Sequence, residues 1–118
     1  STLLASSAAS DVYKRQPMYC MVFVAQTKPI PNITEATMKR GPVECIPYTQ
    51  AYTKNLHEEV YKYFDARREL AEKYTIGAIM PLHGVVVSGS DLFMAYSMLE
   101  RIEADAVCNI FKNNIKDI

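Results

Sequence analysis

The stretch Met80-Pro81-Leu82-His83-Gly84-Val85-Val86-Val87-Ser88-Gly89-Ser90-Asp91 decides how this chain is read. Its β-branched run, bounded by turn residues, has the composition of a buried strand. Residues 76–80 form a second short apolar run, and residues 81–84 between the two make a turn that allows an antiparallel pair. Gly84 permits a tight turn there, so the imidazole of His83 can be aimed from a strand end. Ser88-Gly89-Ser90-Asp91 then punctuates the strand and opens a helix over residues 92–111. On that helix Leu92, Tyr96, Leu99, Ile102, Ala106 and Ile110 recur at the spacing of one buried face.

Upstream of this unit, helices and short strands alternate. Residues 18–26 are apolar almost throughout and favour a helix over a strand. Lys28-Pro29-Ile30-Pro31 ends that element, because each proline biases its predecessor away from the helical region. Residues 33–40 are ambiguous, Gly41-Pro42 is a second break, and residues 43–47 read as a short strand bounded by proline. Thr53 is a candidate N-cap for a helix running to about residue 74, with Leu56, Val60, Phe64, Arg67 or Leu70, and Ala71 on one face. The pattern predicts a layered α/β/α domain with a mainly antiparallel or mixed sheet.

The chain has 118 residues, enough for a single core. Thirteen basic and thirteen acidic side chains cancel, and the basic ones are scattered, so nothing argues for nucleic acid. Apolar runs fall well short of the ~20 residues that span a bilayer, so no membrane role is expected. Cys20, Cys45 and Cys108 are odd in number and lack CxxC spacing, which fits reduced thiols in a cytoplasmic protein.

Residues 1–16 differ from the rest in composition. They do not form a signal peptide, since Lys14 and Arg15 lie at the wrong end and no apolar region of sufficient length precedes a cleavage site. Residues 6–16 resemble the in-frame translation of a sequencing adapter. The segment is therefore expected to be non-native, with the natural sequence beginning near Pro17, in mid-element.

Lys28-Pro29-Ile30-Pro31, then Val43-Glu44-Cys45-Ile46-Pro47-Tyr48, then a helix, then His83-Gly84-Val85-Val86-Val87 and a helix bearing Ala95, Leu99, Glu100 and Glu103 resemble the C-terminal half of the class II aldolase/adducin family. The resemblance covers residues 17–112 and implies a class II aldolase-like fold truncated on its N-terminal side. It implies a divalent metal, usually Zn2+, held by three histidines: two in a His-x-His segment and a third matching His83. Zinc held by imidazoles leaves open positions for substrate oxygens and stabilises the enediolate formed in aldol cleavage or epimerisation. The substrate implied is a small sugar phosphate or hydroxy-ketone, and the assembly a homo-oligomer, by resemblance a tetramer. The His-x-His segment and the acidic acid/base residue are expected upstream of this chain, so the catalytic residues are not assigned. The site is then incomplete and the chain alone inactive. A noncatalytic adducin-like interaction module is the alternative.

The other candidates have plainer readings. His57, beside Glu58 and Glu59, is a surface or interface histidine. Glu100 and Glu103, flanking Arg101, read as solvated or intersubunit ion-pair residues. Glu35 and Glu44 lie in irregular segments without an assigned task, Tyr48 is a packing residue, and the cysteines are core thiols.

Overall fold

A computed structural model of the chain describes residues 11–115. Strand β1 (Asp11–Arg15) precedes helices α1 (Cys20–Gln26) and α2 (Glu35–Met38). Strand β2 (Glu44–Cys45), helices α3 (Lys54–Ala66) and α4 (Arg68–Lys73), strands β3 (Gly77–Met80) and β4 (Gly84–Gly89) and helix α5 (Leu92–Phe111) follow. The proposed non-native segment falls partly outside the described residues, and its last part is β1.

The four strands form one mixed sheet in the order β1-β4-β3-β2. Strands β3 and β4 are antiparallel, with Ile79 opposite Val85 and Gly77 opposite Val87. Strand β1 runs antiparallel along the other edge of β4, with Lys14 opposite Val86, and β2 runs parallel to β3. Because side chains alternate across a strand, the valine run feeds both faces of the sheet. Val85 and Val87 join Tyr13, Ile79 and the buried side chains of α1 and α5 in one core. Val86 joins Val12, Ala78, Met80 and the α3 side chains Leu56, Val60 and Tyr63 in the other. Every β4 residue is buried, which is why that run is apolar without alternation. The architecture is the expected three-layer α/β/α.

Asp91 caps α5 by accepting a hydrogen bond from the Met94 amide at 2.8 Å, and Thr53 caps α3 through the Leu56 amide at 3.3 Å. The structure departs from the sequence expectations in five places. The helix expected to reach residue 74 breaks at Arg67 (φ −115, ψ 28). There the Arg67 amide bonds the Phe64 carbonyl in a tightened turn, and its guanidinium sits 3.7 Å from the Tyr63 ring centroid. Tyr63, rather than Phe64, is the fully buried aromatic, and its hydroxyl donates to the Gly77 carbonyl at 2.8 Å.

The buried face of α5 is rotated from the expected stripe: Ala95, Met98, Leu99, Ile102, Asp105 and Ala106 are buried, while Leu92 and Tyr96 are exposed. The end of β4 decides this, because a Cβ on Gly89 would lie 3.1 Å from the Ala95 amide. Only a small residue fits against that backbone. Gly84 is needed for a different reason than expected. The left-handed residue of the turn is Leu82 (φ 66), whereas a Cβ on Gly84 would stand 2.5 Å from the Arg15 carbonyl oxygen. Finally, Cys108 is exposed and Cys45 half-buried, so only Cys20 is a fully buried thiol.

Candidate functional site

His83 closes the turn between β3 and β4, its amide donating to the Met80 carbonyl at 2.9 Å. The parallel pairing of β2 with β3 carries the chain after β2 to the same end of the sheet, where the Ile46 amide bonds the Ile79 carbonyl at 2.9 Å. The following residues pass over the imidazole. Tyr48 stacks on it with centroids 5.6 Å apart and planes inclined by 24°. Nε2 of His83 lies 2.7 Å from the Thr49 carbonyl oxygen. A carbonyl only accepts, so Nε2 carries a proton and donates it to that oxygen. This arrangement, one imidazole nitrogen tied to a backbone carbonyl, holds the ring in one orientation.

Tyr48 is thus more than a packing residue, and it is 56% exposed apart from that stack. Thr49 carries no signal in the sequence, since its part is played by a backbone carbonyl that only the β2–β3 register brings to His83. The loop is also strained at Tyr52, a non-glycine residue with φ 60.

His83 lines a cavity of about 560 Å³ together with Lys14, Arg15, Gln16, Ala51, Tyr52, Leu56, His57 and Met80. The two histidines of the chain therefore face one space, although His57 is exposed as the sequence suggested. Val12 and Lys14 point to the α3 face of the sheet, two residues apart on β1, and Gln16 donates from Nε2 to the His83 carbonyl at 2.6 Å. Burial holds the Lys14 amine below its ordinary range. Among the described residues no acidic side chain lines this cavity. Glu35 is exposed at the start of α2 and Glu44 half-buried on β2; neither reaches it.

A second cleft, of about 430 Å³, lies on the other face of β1 between Arg15, Gln16, Pro17, Tyr96, Leu99, Glu100 and Glu103. The two glutamates differ there. Glu100 is exposed, but Glu103 accepts from the backbone amides of Tyr19 at 3.0 Å and Cys20 at 2.9 Å. It caps the free amides at the start of α1 and is not the solvated or intersubunit residue expected. Burial and the neighbouring Glu103 push the Cys20 thiol far above its ordinary range, so that thiol is inert. Asp105, buried on α5, accepts from the Thr34 amide and hydroxyl and from the Thr37 hydroxyl. Its work is structural.

Helices cover both faces of a short mixed sheet, and one imidazole held at the strand ends lines a cavity beside β1 and α3. The sequence matches the family described as Class II Aldolase and Adducin N-terminal domain over residues 13–110. The chain belongs to that family. Among solved structures it is similar to an L-fuculose 1-phosphate aldolase, with a TM-score of 0.66 and 19% identity. That likeness covers 96% of this chain and 51% of that one, so the chain spans about half the length of this structural neighbour. A comparison with curated proteins finds no match.

The family usually uses a divalent metal, and the residues present were tested against one by their donor chemistry. Among the described residues no three His, Cys, Asp or Glu side chains converge. His83 offers a single imidazole, and the residues that share its cavity from β1 and just after it are Lys14, Arg15 and Gln16. They do not make a metal centre.

Proposed function

We propose that this chain is part of a class II aldolase-type enzyme that cleaves or epimerises a small phosphorylated sugar or hydroxy-ketone, with His83 as one of its Zn2+-binding imidazoles. The observation that carries the reading is the fixed ring of His83, tied to the Thr49 carbonyl and covered by Tyr48 in a chain of this family. The name of the structural neighbour, L-fuculose 1-phosphate aldolase, supports a sugar phosphate as the substrate class. Among the described residues no further donors converge with His83, so this reading needs the remaining donors and the acid/base residue from elsewhere in the protein. This chain by itself is inactive, for want of those donors.

The assembly is a homo-oligomer, a tetramer by family resemblance, and the exposed Leu92, Phe93 and Tyr96 on α5 supply an apolar surface for it. Three unpaired thiols support a reducing cytoplasm. No helix among the described residues is long and apolar enough to cross a membrane.

A noncatalytic, adducin-like interaction module is the second reading, since the family that matches is described for both class II aldolases and adducin. The coding sequence upstream of residue 17 separates the two. An upstream His-x-His pair and acidic residue are expected, and in the protein so extended His83→Ala should lower zinc content and aldol cleavage together. Unchanged zinc content and activity in that variant would remove His83 from the reaction, and the absence of zinc from the extended protein would favour the interaction module.

A further inference from the structure

Two arginines, Arg40 and Arg101, come together on the α5 face of the sheet, at the end of β3 opposite His83. Arg40 follows α2, its amide donating to the Thr37 carbonyl at 2.9 Å, and its side chain reaches the residues that lead into β3. There Nη1 donates to the Thr75 hydroxyl at 2.7 Å and to the Thr75 carbonyl at 3.4 Å, and lies 3.5 Å from the Met98 sulfur. The guanidinium carbon stands 5.5 Å from the Tyr74 ring centroid. These contacts fix the planar fork in advance, which lowers the cost of binding a ligand to its remaining edge. Arg101 stands one helical turn beyond Met98 on α5, which brings its charge close to that of Arg40. Both side chains are half-buried. Burial first, and then the Arg101 charge, disfavour the charged form of Arg40 against a smaller opposing effect of the Tyr74 phenol. Among the described residues the ion pairs are Lys62–Glu59 and Arg68–Asp65, so neither arginine has a carboxylate partner. Asp105, one turn beyond Arg101, is committed to Thr34 and Thr37.

We infer that Arg40 and Arg101 form a binding site for a small, doubly charged oxyanion, a dicarboxylate or a phosphate-type ion, held by the free edge of the Arg40 fork and by Arg101. Two like charges partly withdrawn from water repel each other, and an anion between them turns that repulsion into two attractions. An oxyanion also presents paired oxygens that match a guanidinium edge, which chloride does not. Strand β3, four residues long at about 3.3 Å each, separates this site from His83. The site is therefore distinct from the proposed reaction and stands or falls separately from it.

The test is an NMR titration of the whole chain with inorganic phosphate, malonate and sodium chloride in separate series of matched ionic strength, following the arginine Nε–H groups, the Thr75 amide and the His83 ring. Phosphate and malonate should shift the arginine and Thr75 resonances saturably while chloride does not and His83 stays in place; the tighter of the two curves identifies the class of anion. Arg101 makes no hydrogen bond among the described residues, so Arg101→Gln should keep the thermal midpoint and weaken binding by about tenfold or more. Arg101→Lys should recover part of that loss, and Arg68→Gln on α4 should change nothing. Shifts that chloride reproduces, shifts that never saturate, binding indifferent to Arg101→Gln, or saturation that follows the His83 ring instead would each overturn the inference.

Discussion

Removing the carboxylate of Asp105 should cost this fold more than any other single polar change, and the structure gives the size of the loss. Asp105 is 1% exposed and Thr37 is also 1% exposed. The carboxylate accepts from the Thr34 amide at 3.1 Å, from the Thr34 hydroxyl at 2.7 Å and from the Thr37 hydroxyl. A hydrogen bond to a charged group contributes about 1.5–3 kcal/mol, and a buried donor left without a partner costs about 1–3 kcal/mol. Thr34 is only half-buried and water can reach part of what Asp105→Ala exposes, so the expected loss is about 3–5 kcal/mol. Against a total of about 5–15 kcal/mol for a domain, that is a large fraction. At roughly 4 °C per kcal/mol the thermal midpoint should fall by about 12–20 °C.

Asp105→Asn keeps the shape and one acceptor, and should cost about 1–2 kcal/mol. Urea unfolding followed by circular dichroism measures both variants, with the slope unchanged if the native state stays compact. Adding Thr37→Val to Asp105→Ala should recover part of the loss, because both partners of the buried pair are then gone. An Asp105→Ala chain within about 0.5 kcal/mol of the parent, the range of ordinary surface changes, would refute the reasoning. So would an asparagine variant as damaged as the alanine one.

Other expectations follow from the same geometry. Gly84→Ala would push a methyl group to 2.5 Å from the Arg15 carbonyl oxygen, so β1 should detach from β4 and lose amide protection in hydrogen exchange while α5 keeps its own. Tyr63→Phe should cost about 1–2 kcal/mol by removing the buried hydroxyl bond to the Gly77 carbonyl. Burial raises the Tyr63 phenol above its ordinary range despite the opposing Arg67 charge, so the folded state favours the protonated form. Its contribution is therefore complete below the ordinary phenol range and lost as pH rises through the raised value. The phenylalanine variant should lack that alkaline loss in urea titrations. Among the thiols, alkylation should modify exposed Cys108 first, then Cys45, whose thiol burial also raises, and Cys20 only on unfolding; early loss of Cys20 by mass spectrometry would contradict the α1 packing. Phe93→Ser should lower self-association in sedimentation if the exposed α5 face is a contact surface.

The sequence by itself determined the elements whose signals are local. The β3–β4 hairpin, the Asp91 and Thr53 caps and the span of α5 all lie in neighbouring residues, because turns, caps and helical period act over a few positions. It also marked His83 as the histidine to watch. Tertiary structure alone decided what depends on distant residues. The rotation of α5 was set by the close approach of Gly89 to Ala95, and Glu103 and Asp105 acquired partners more than sixty positions away. The orientation of His83 came from a Thr49 carbonyl that the parallel β2–β3 pairing delivers. Backbone groups carry no residue identity, so no reading of side-chain types could have placed that carbonyl beside the imidazole.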